Sequence, residues 1–137
     1  MHIKIEFNYR NGLYRYVCSV PENTFYLAYF LLDDVGTNPV FIQNSLREMT
    51  SEEYEAQAHN MTQYTKEEGL QGMVTFMFEF ADEDEEIAKG YFLQIRADLV
   101  AQVLRGWERV LKEGPQSIEI TIDGDDVKVV GVGKRAE

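Results

Sequence analysis

Residues 2–20 have the sequence HIKIEFNYRNGLYRYVCSV, in which apolar and polar side chains alternate on either side of Asn11-Gly12. Asn-Gly is a preferred pair for a two-residue type I′ turn, because both residues tolerate a positive φ. Pairing Arg10 with Leu13 brings eight side chains to one face: Ile3, Ile5, Phe7, Tyr9, Tyr14, Tyr16, Cys18 and Val20. The stretch therefore predicts an N-terminal β-hairpin with one buried face and one mostly polar face.

A second hairpin is predicted near the C-terminal end of the sequence. Ile118, Ile120 and Ile122 alternate with polar residues before a turn at 123–126, and Val127 and Val129 continue the same face. Asp123-Gly124 and Gly124-Asp125 both fit the centre of the turn, and both bring the same side chains inward.

A third, longer hairpin is predicted in the middle of the chain. Its strands alternate apolar with other residues, through Val74, Phe76, Phe78 and Phe80 and then through Tyr91, Leu93 and Ile95. Five consecutive acids, Asp82 to Glu86, lie between the two strands. We expect this acidic run to form the exposed loop at the hairpin tip.

The best-defined helix is predicted between Asp98, which fits the N-cap, and Gly114-Pro115, which ends the segment. Its apolar residues recur at helical spacing. They are Leu99, Val100, Val103, Leu104, Trp107, Val110 and Leu111. Arg105, Arg109 and Lys112 fall on the opposite face.

Residues 21–70 predict three more helices. Pro21 to Val35 fits a buried helix, although Phe25 to Leu32 also fits a buried strand. The helix is favoured because the run contains Leu and Ala and no β-branched residue. Pro39 fits the first turn of a helix that continues through Met49. Thr50-Ser51-Glu52-Glu53 matches a capping box and predicts the start of another.

These elements predict an α+β fold in a single domain of residues 1–137. Strand pairs flank the helices and no βαβ alternation occurs, so we expect one antiparallel sheet built from hairpins, with helices packed on one face. A length of 137 residues with 45% apolar residues is sufficient for a core and is not typical of a disordered acidic tail.

Charge is the feature of the sequence that bears most on function. The formal net charge is -11, and twelve of the 24 carboxylates lie between Glu48 and Glu86, where Lys66 is the only Lys or Arg. This excess argues against nucleic acid or an anionic membrane as a direct ligand, because both require clustered Lys and Arg. A basic protein or a cation is the natural counterpart of such a surface. The alternative is that the acidic run is a solvated loop that only keeps the protein soluble.

The residues expected to contact that partner are acids and two tyrosines of residues 48–86, which we call the acidic half. Tyr54 and Tyr64 are included because they lie outside any clear apolar stripe and tyrosine is frequent at binding hot spots. The full set is Asp82, Glu83, Asp84, Glu85, Glu86, Glu52, Glu53, Glu55, Tyr54 and Tyr64.

No pattern for catalysis, a metal or a cofactor accompanies these residues. His59 lies in a polar stretch and is expected to be an exposed helical residue, and Cys18 is expected to be inert on the buried face of the hairpin. The acidic strings at 82–86 and 123–126 do not follow the spacing of an EF-hand. We expect neither a metal site nor a cofactor, and we do not expect an enzyme.

The single cysteine excludes an intrachain disulfide and suits a reducing compartment. No signal-peptide pattern is evident, and the longest apolar run, Phe25 to Leu32, is far short of the roughly 20 residues of a membrane span. We therefore expect a cytoplasmic protein.

The most concrete functional hypothesis is an immunity protein, an acidic bacterial inhibitor that binds a basic toxin domain such as a nuclease. Nuclease active sites are cationic because they hold phosphates, so a carboxylate-rich inhibitor can occupy them and associate rapidly. Two alternatives remain open. One is a nucleic-acid mimic that blocks a DNA- or RNA-binding protein, and the other is a metal-assisted enzyme that uses acidic clusters.

Overall fold

The structure is a computed structural model that describes residues 1–136. Eight strands occur along the chain: β1 (His2–Asn8), β2 (Leu13–Val20), β3 (Glu55–Ala58), β4 (Thr62–Lys66), β5 (Met73–Phe78), β6 (Leu93–Arg96), β7 (Ser117–Asp123) and β8 (Asp126–Val132). The α-helices are α1 (Phe25–Tyr29), α2 (Pro39–Met49), α3 (Glu83–Lys89) and α4 (Ala97–Leu111). A 3₁₀ turn (Glu22–Thr24) precedes α1, and a π-helical segment (Phe30–Val35) follows it.

The strands form two antiparallel sheets of four strands each. The first sheet has the order β2-β1-β7-β8 and the second has the order β3-β4-β5-β6. The α+β prediction is confirmed, but the expectation of a single sheet is not. The two terminal hairpins join through β1 and β7, whereas the central strands pair only among themselves, so the ladders never merge.

Both sheets contribute to one hydrophobic core. Ile3, Ile5, Ile118 and Ile120 come from the first sheet, and Val74, Phe76, Leu93 and Ile95 come from the second. Helix α4 adds the predicted apolar stripe, in which Trp107 is buried and donates from Nε1 to the Gly36 carbonyl oxygen at 2.9 Å. The two sheets and helices α1, α2 and α4 therefore share one packed core, to which α3 contributes no buried residue.

The N-terminal hairpin forms, but its register differs from the prediction. Strand β1 ends at Asn8 and strand β2 begins at Leu13. Between them, Asn8 Oδ1 accepts a hydrogen bond from the Arg10 N–H, and Asn11 Oδ1 accepts one from the Leu13 N–H, each at 3.0 Å. These side-chain bonds favour a four-residue turn over the two-residue one. Phe7 consequently pairs with Tyr14 rather than with Tyr16.

A bulge in β2 corrects a second expectation about this hairpin. The register shifts between Lys4 and Ile5, so that Val17 is the extra residue and Cys18 pairs with Lys4. Because of the extra residue, the side chains of β2 after Val17 point to the face opposite to the one that the simple alternation predicts. Cys18 is therefore exposed rather than buried in the core.

The predicted C-terminal hairpin and the predicted helices at 21–35 and 39–49 are confirmed. Asp123 pairs with Asp126, so Gly124-Asp125 forms the turn. Residues 25–35 are helical and end at Gly36, whose φ is 60°. Pro39 is the first residue of α2, and the Asn38 side chain caps it by accepting from the Val40 N–H.

The helix predicted after Thr50-Ser51-Glu52-Glu53 is wrong, since Glu55–Ala58 is strand β3. Ser51 Oγ accepts from the Glu53 N–H at 3.0 Å, which makes a local turn in place of a cap. The following residues pair with β4, with Glu55 opposite Lys66 and Ala58 opposite Gln63. Pairing with a strand distant from the capping signal thus outweighs local helix propensity.

Candidate functional site: the acidic helix and the aromatic cleft

The five consecutive acids begin a short helix, so the prediction of a loop at Asp82 to Glu86 is wrong. Asp82 is the N-cap of α3, and its Oδ1 accepts from the Glu85 N–H at 3.0 Å. Gly90 ends the helix with a left-handed φ of 77°. Carboxylates in the first turn are stabilised by free N–H groups and the helix dipole. The Asp82 to Glu85 spacing, which is that of a capping box, is the signal that indicates this helix.

The carboxylates of α3 form no ion pair within residues 1–136. The ion pairs in that range join His2 to Glu119, Arg15 to Glu6, and Arg96 to both Asp98 and Asp125. None of the carboxylates from Glu48 to Glu86 belongs to these pairs. Glu86 is half-buried, and the four acids before it are exposed.

Lys66, the only Lys or Arg between Glu48 and Glu86, lies in the interior. Lys66 is 0% exposed, and its Nζ donates to the Glu53 carbonyl oxygen at 2.8 Å and to the Glu67 carbonyl oxygen at 3.1 Å. Its partners are backbone carbonyls and not surface carboxylates. The ammonium group therefore stabilises two adjoining loops and forms no ion pair with the surrounding acids.

Phe80 projects into solvent beside the acidic helix. It is 93% exposed and has a φ of 64°, which is the left-handed region that bulky residues rarely adopt. The segment around it is fixed, since the Glu79 N–H donates to the Met61 carbonyl at 3.0 Å and Gln63 Nε2 donates to the Ala81 carbonyl at 3.1 Å. The sequence does not indicate this exposure, because the alternation of Phe80 with Phe76 and Phe78 predicts a buried position.

The remaining predicted acids form a separate group at the opposite end of the second sheet. Glu55 pairs with Lys66 at the start of β3, whereas α3 follows the far end of β5. The Gly69 N–H donates to the Glu52 carbonyl at 2.9 Å, which brings the loop containing Glu67 and Glu68 beside Glu52 and Glu53. The predicted surface is thus divided into two acidic regions.

The two predicted tyrosines differ in accessibility. Tyr54 is 58% exposed and adjoins the second acidic region. Tyr64 is 2% exposed, packs against Phe30 and Phe76, and donates its hydroxyl hydrogen bond to the Glu48 carboxylate. Burial, followed by that hydrogen bond, raises the pKa of Tyr64 well above its usual range. Tyr64 is therefore a core residue and offers no surface to a partner.

An aromatic cleft lies beside the C-terminal end of α3. It is lined by Phe25, Tyr26, Phe78 and Tyr91, with Glu22 and Glu86 also at its walls, and its volume is about 620 Å³. Asn23 Nδ2 donates to the Phe92 carbonyl at 3.1 Å and holds the two sides together. Of the predicted site residues, Glu86 is the one that reaches this cleft.

A histidine base and a cysteine nucleophile would have to lie together for catalysis, but His59 and Cys18 lie beside different sheets. His59 stacks on the Tyr64 ring with centroids 5.8 Å apart. Cys18 lies on the outer face of β2, on the other sheet. Among residues 1–136, no three His, Cys, Asp or Glu side chains form a group that could hold a metal ion.

No helix of the described residues is long and apolar enough to cross a membrane. Comparisons of the chain with protein-family models, with curated proteins and with solved structures gave no match.

Proposed function

We propose that this chain is a protein-binding domain that docks a basic protein through α3 and Phe80. The most concrete form of this function is an immunity-type inhibitor of a cationic toxin domain, such as a bacterial nuclease. The single observation that carries the proposal is the fully exposed Phe80 beside four exposed carboxylates that have no cationic partner in residues 1–136.

The carboxylates and the phenylalanine contribute to binding in different ways. Packed like charges attract a cationic partner and accelerate its approach. An exposed aromatic side chain supplies an anchor that fills a pocket, as hot-spot residues do. A left-handed φ at a phenylalanine is unfavourable by about 1–3 kcal/mol and is concentrated at functional positions. Phe80 therefore has a better explanation in binding than in folding.

A nucleic-acid mimic is the second candidate, since it uses the same charge. An apolar anchor among the carboxylates favours a protein groove over a site that receives only a phosphate backbone. We expect the protein to act in the cytoplasm, because the free, exposed thiol of Cys18 is compatible with a reducing compartment.

The proposal is tested by affinity capture from a lysate of the source organism with three tagged baits. The first is the native chain. The second carries Glu83→Gln, Asp84→Asn, Glu85→Gln and Phe80→Ser, and keeps Asp82 as the helix cap. The third carries Glu52→Gln and Glu53→Gln at the opposite end of the second sheet and serves as the control.

We expect the native chain and the control to retain the same basic protein in stoichiometric amount, and the α3 variant to lose it. Inhibition of a nuclease activity of the captured protein would support the immunity-type role. Inhibition of nucleic-acid binding without nuclease activity would support the mimic. Equal capture by the native chain and the α3 variant would contradict the proposed surface.

A further inference from the structure

We propose that the aromatic cleft receives an arginine side chain of the basic partner. This inference rests on the proposed function, because it identifies one contact that the docked protein makes beside α3. The guanidinium would lie over the aromatic rings and between the carboxylates of Glu22 and Glu86.

The walls of the cleft are held by ring-to-ring packing. The rings of Phe25 and Tyr26 stack with centroids 4.3 Å apart, and the Tyr26 and Phe78 rings meet edge-on at 5.0 Å. Tyr91 also lines the cleft and is 54% exposed. The cleft therefore combines packed aromatic rings with one accessible aromatic ring.

The charge at the cleft is negative and selects a cation. Glu22 is exposed, Glu86 is half-buried, and neither forms an ion pair within residues 1–136. Burial raises the pKa of Tyr26, and the Glu86 carboxylate and Tyr91 add smaller contributions in the same direction. The negative charge of Glu86 thus acts on a ring of the cleft itself.

Arginine suits these walls better than lysine does. A guanidinium is planar and weakly hydrated, stacks on aromatic faces, and binds carboxylates in a bidentate manner, whereas an ammonium is a strongly hydrated point charge. This chain contains the same arrangement elsewhere, since the Arg135 guanidinium lies over the Phe7 ring at 4.8 Å from its centroid. The volume of about 620 Å³ lies within the roughly 300–1,000 Å³ of small-ligand sites.

The test compares an arginine oligopeptide and a lysine oligopeptide of equal length and charge by isothermal titration calorimetry. We expect the arginine peptide to bind about two- to fivefold more tightly than the lysine peptide. Tyr91→Ala and Glu86→Gln should each remove that preference. Tyr54→Ala is the matched control, since Tyr54 has nearly the same exposure outside the cleft, and it should keep the preference.

Backbone amide NMR spectra with the arginine peptide locate the contact. Signals of Asn23, Phe25 and Tyr91 should shift on titration, and those of Tyr54 should not. If both peptides bind equally, or if Tyr91→Ala behaves like Tyr54→Ala, the arginine pocket is refuted while the acidic docking surface stands. If neither peptide binds, the acidic surface is refuted, and the pocket with it.

Discussion

Asp34 shows how one buried acid can organise a segment far from it in the sequence. Its carboxylate accepts from the backbone N–H groups of Met61 and Thr62 at 2.9 and 3.0 Å, and also from the Thr62 hydroxyl. It thereby fixes the β3–β4 turn to the helical segment that ends at Val35. Lys66 does the same for the opposite end of these strands through two carbonyls. Neither role is predictable from the sequence, because each depends on backbone groups 13 to 28 residues away.

We predict that Asp34→Asn lowers the free energy of unfolding by about 1.5–3 kcal/mol, because hydrogen bonds to a charged acceptor are lost in a buried site. Urea unfolding measures the change. Asp33→Asn is the control. Burial and the neighbouring Asp34 raise the pKa of Asp33, so removing its charge should leave stability unchanged or slightly higher. Equal losses in the two variants would contradict the role assigned to Asp34.

Phe80 is the second residue-scale prediction. Phe80→Asn should raise the free energy of unfolding by about 0.5–1 kcal/mol, because asparagine tolerates the left-handed region and the phenylalanine ring buries almost nothing. The same variant should bind the captured partner more weakly. Thermal unfolding and calorimetric binding give the two values. Tyr54→Asn, at an exposed position without a positive φ, should not gain stability. A loss of stability in Phe80→Asn would mean that the ring packs in the folded state.

At the scale of elements, what the sequence predicts correctly is what local patterns determine. Helix α4 combines a long apolar stripe with a Gly114-Pro115 stop, and the C-terminal hairpin combines alternation with a Gly-Asp turn. Strand β3 and helix α3 are mispredicted for opposite reasons. The sequence of β3 has little strand propensity, and its structure is determined by pairing with β4. Helix α3 has local capping residues, Asp82 and Gly90, but the alternating strands on either side of it favoured the prediction of a hairpin loop.

The α4–β8 contact gives an element-scale prediction. A Cβ on Gly106 would lie 2.5 Å from Val129 Cγ2. Gly106→Ala should therefore lower the free energy of unfolding by about 1–3 kcal/mol through overpacking, although alanine favours helices. Urea unfolding tests this, with Gln102→Ala on the exposed face of α4 as the control. A more stable Gly106→Ala would show that α4 can shift away from β8.

The β6–α4 junction gives a prediction about pH. The Arg96 guanidinium, which donates to Asp98 at 2.8 and 3.0 Å, lowers the pKa of Asp98 below its ordinary 3.8. The ionised form is favoured in the folded state, so the stabilisation is present above about pH 4 and is lost as pH falls through the lowered pKa. Asp98→Asn should reduce stability by at most about 1 kcal/mol at pH 7, and the difference should vanish at lower pH.

Urea unfolding between pH 7 and pH 2 measures this difference. Asp126→Asn, in the exposed C-terminal hairpin, is the control and should show no such pH dependence. A difference between native and Asp98→Asn that grows as pH falls would contradict the assignment.

At the scale of the whole molecule, the twelve carboxylates from Glu48 to Glu86 lie in and around the second sheet. Glu55 lies in β3, four of these acids lie in α3, and the others lie in α2 and in connecting loops. Lys112, Lys134 and Arg135 line a separate cleft together with Phe7 and Glu113. The sequence indicates the excess of acid, but it does not indicate that the acids form two regions or that Lys66 is internal. Both follow from the division into two sheets, which depends on pairing between distant strands. The aromatic cleft likewise joins residues 22–26 to residues 78–91 and has no local signal.

The measurement that tests the central claim most directly is the association rate of the captured basic protein as a function of salt. Between about 0.1 M and 1 M salt the Debye length falls from about 10 Å to about 3 Å. If α3 is the docking surface, surface plasmon resonance should show a rate for the native chain that falls at least about tenfold over this range. The variant with Glu83→Gln, Asp84→Asn and Glu85→Gln should already be slow at low salt. A rate that is independent of salt, and equal in the native chain and the variant, would contradict the acidic helix as the docking surface.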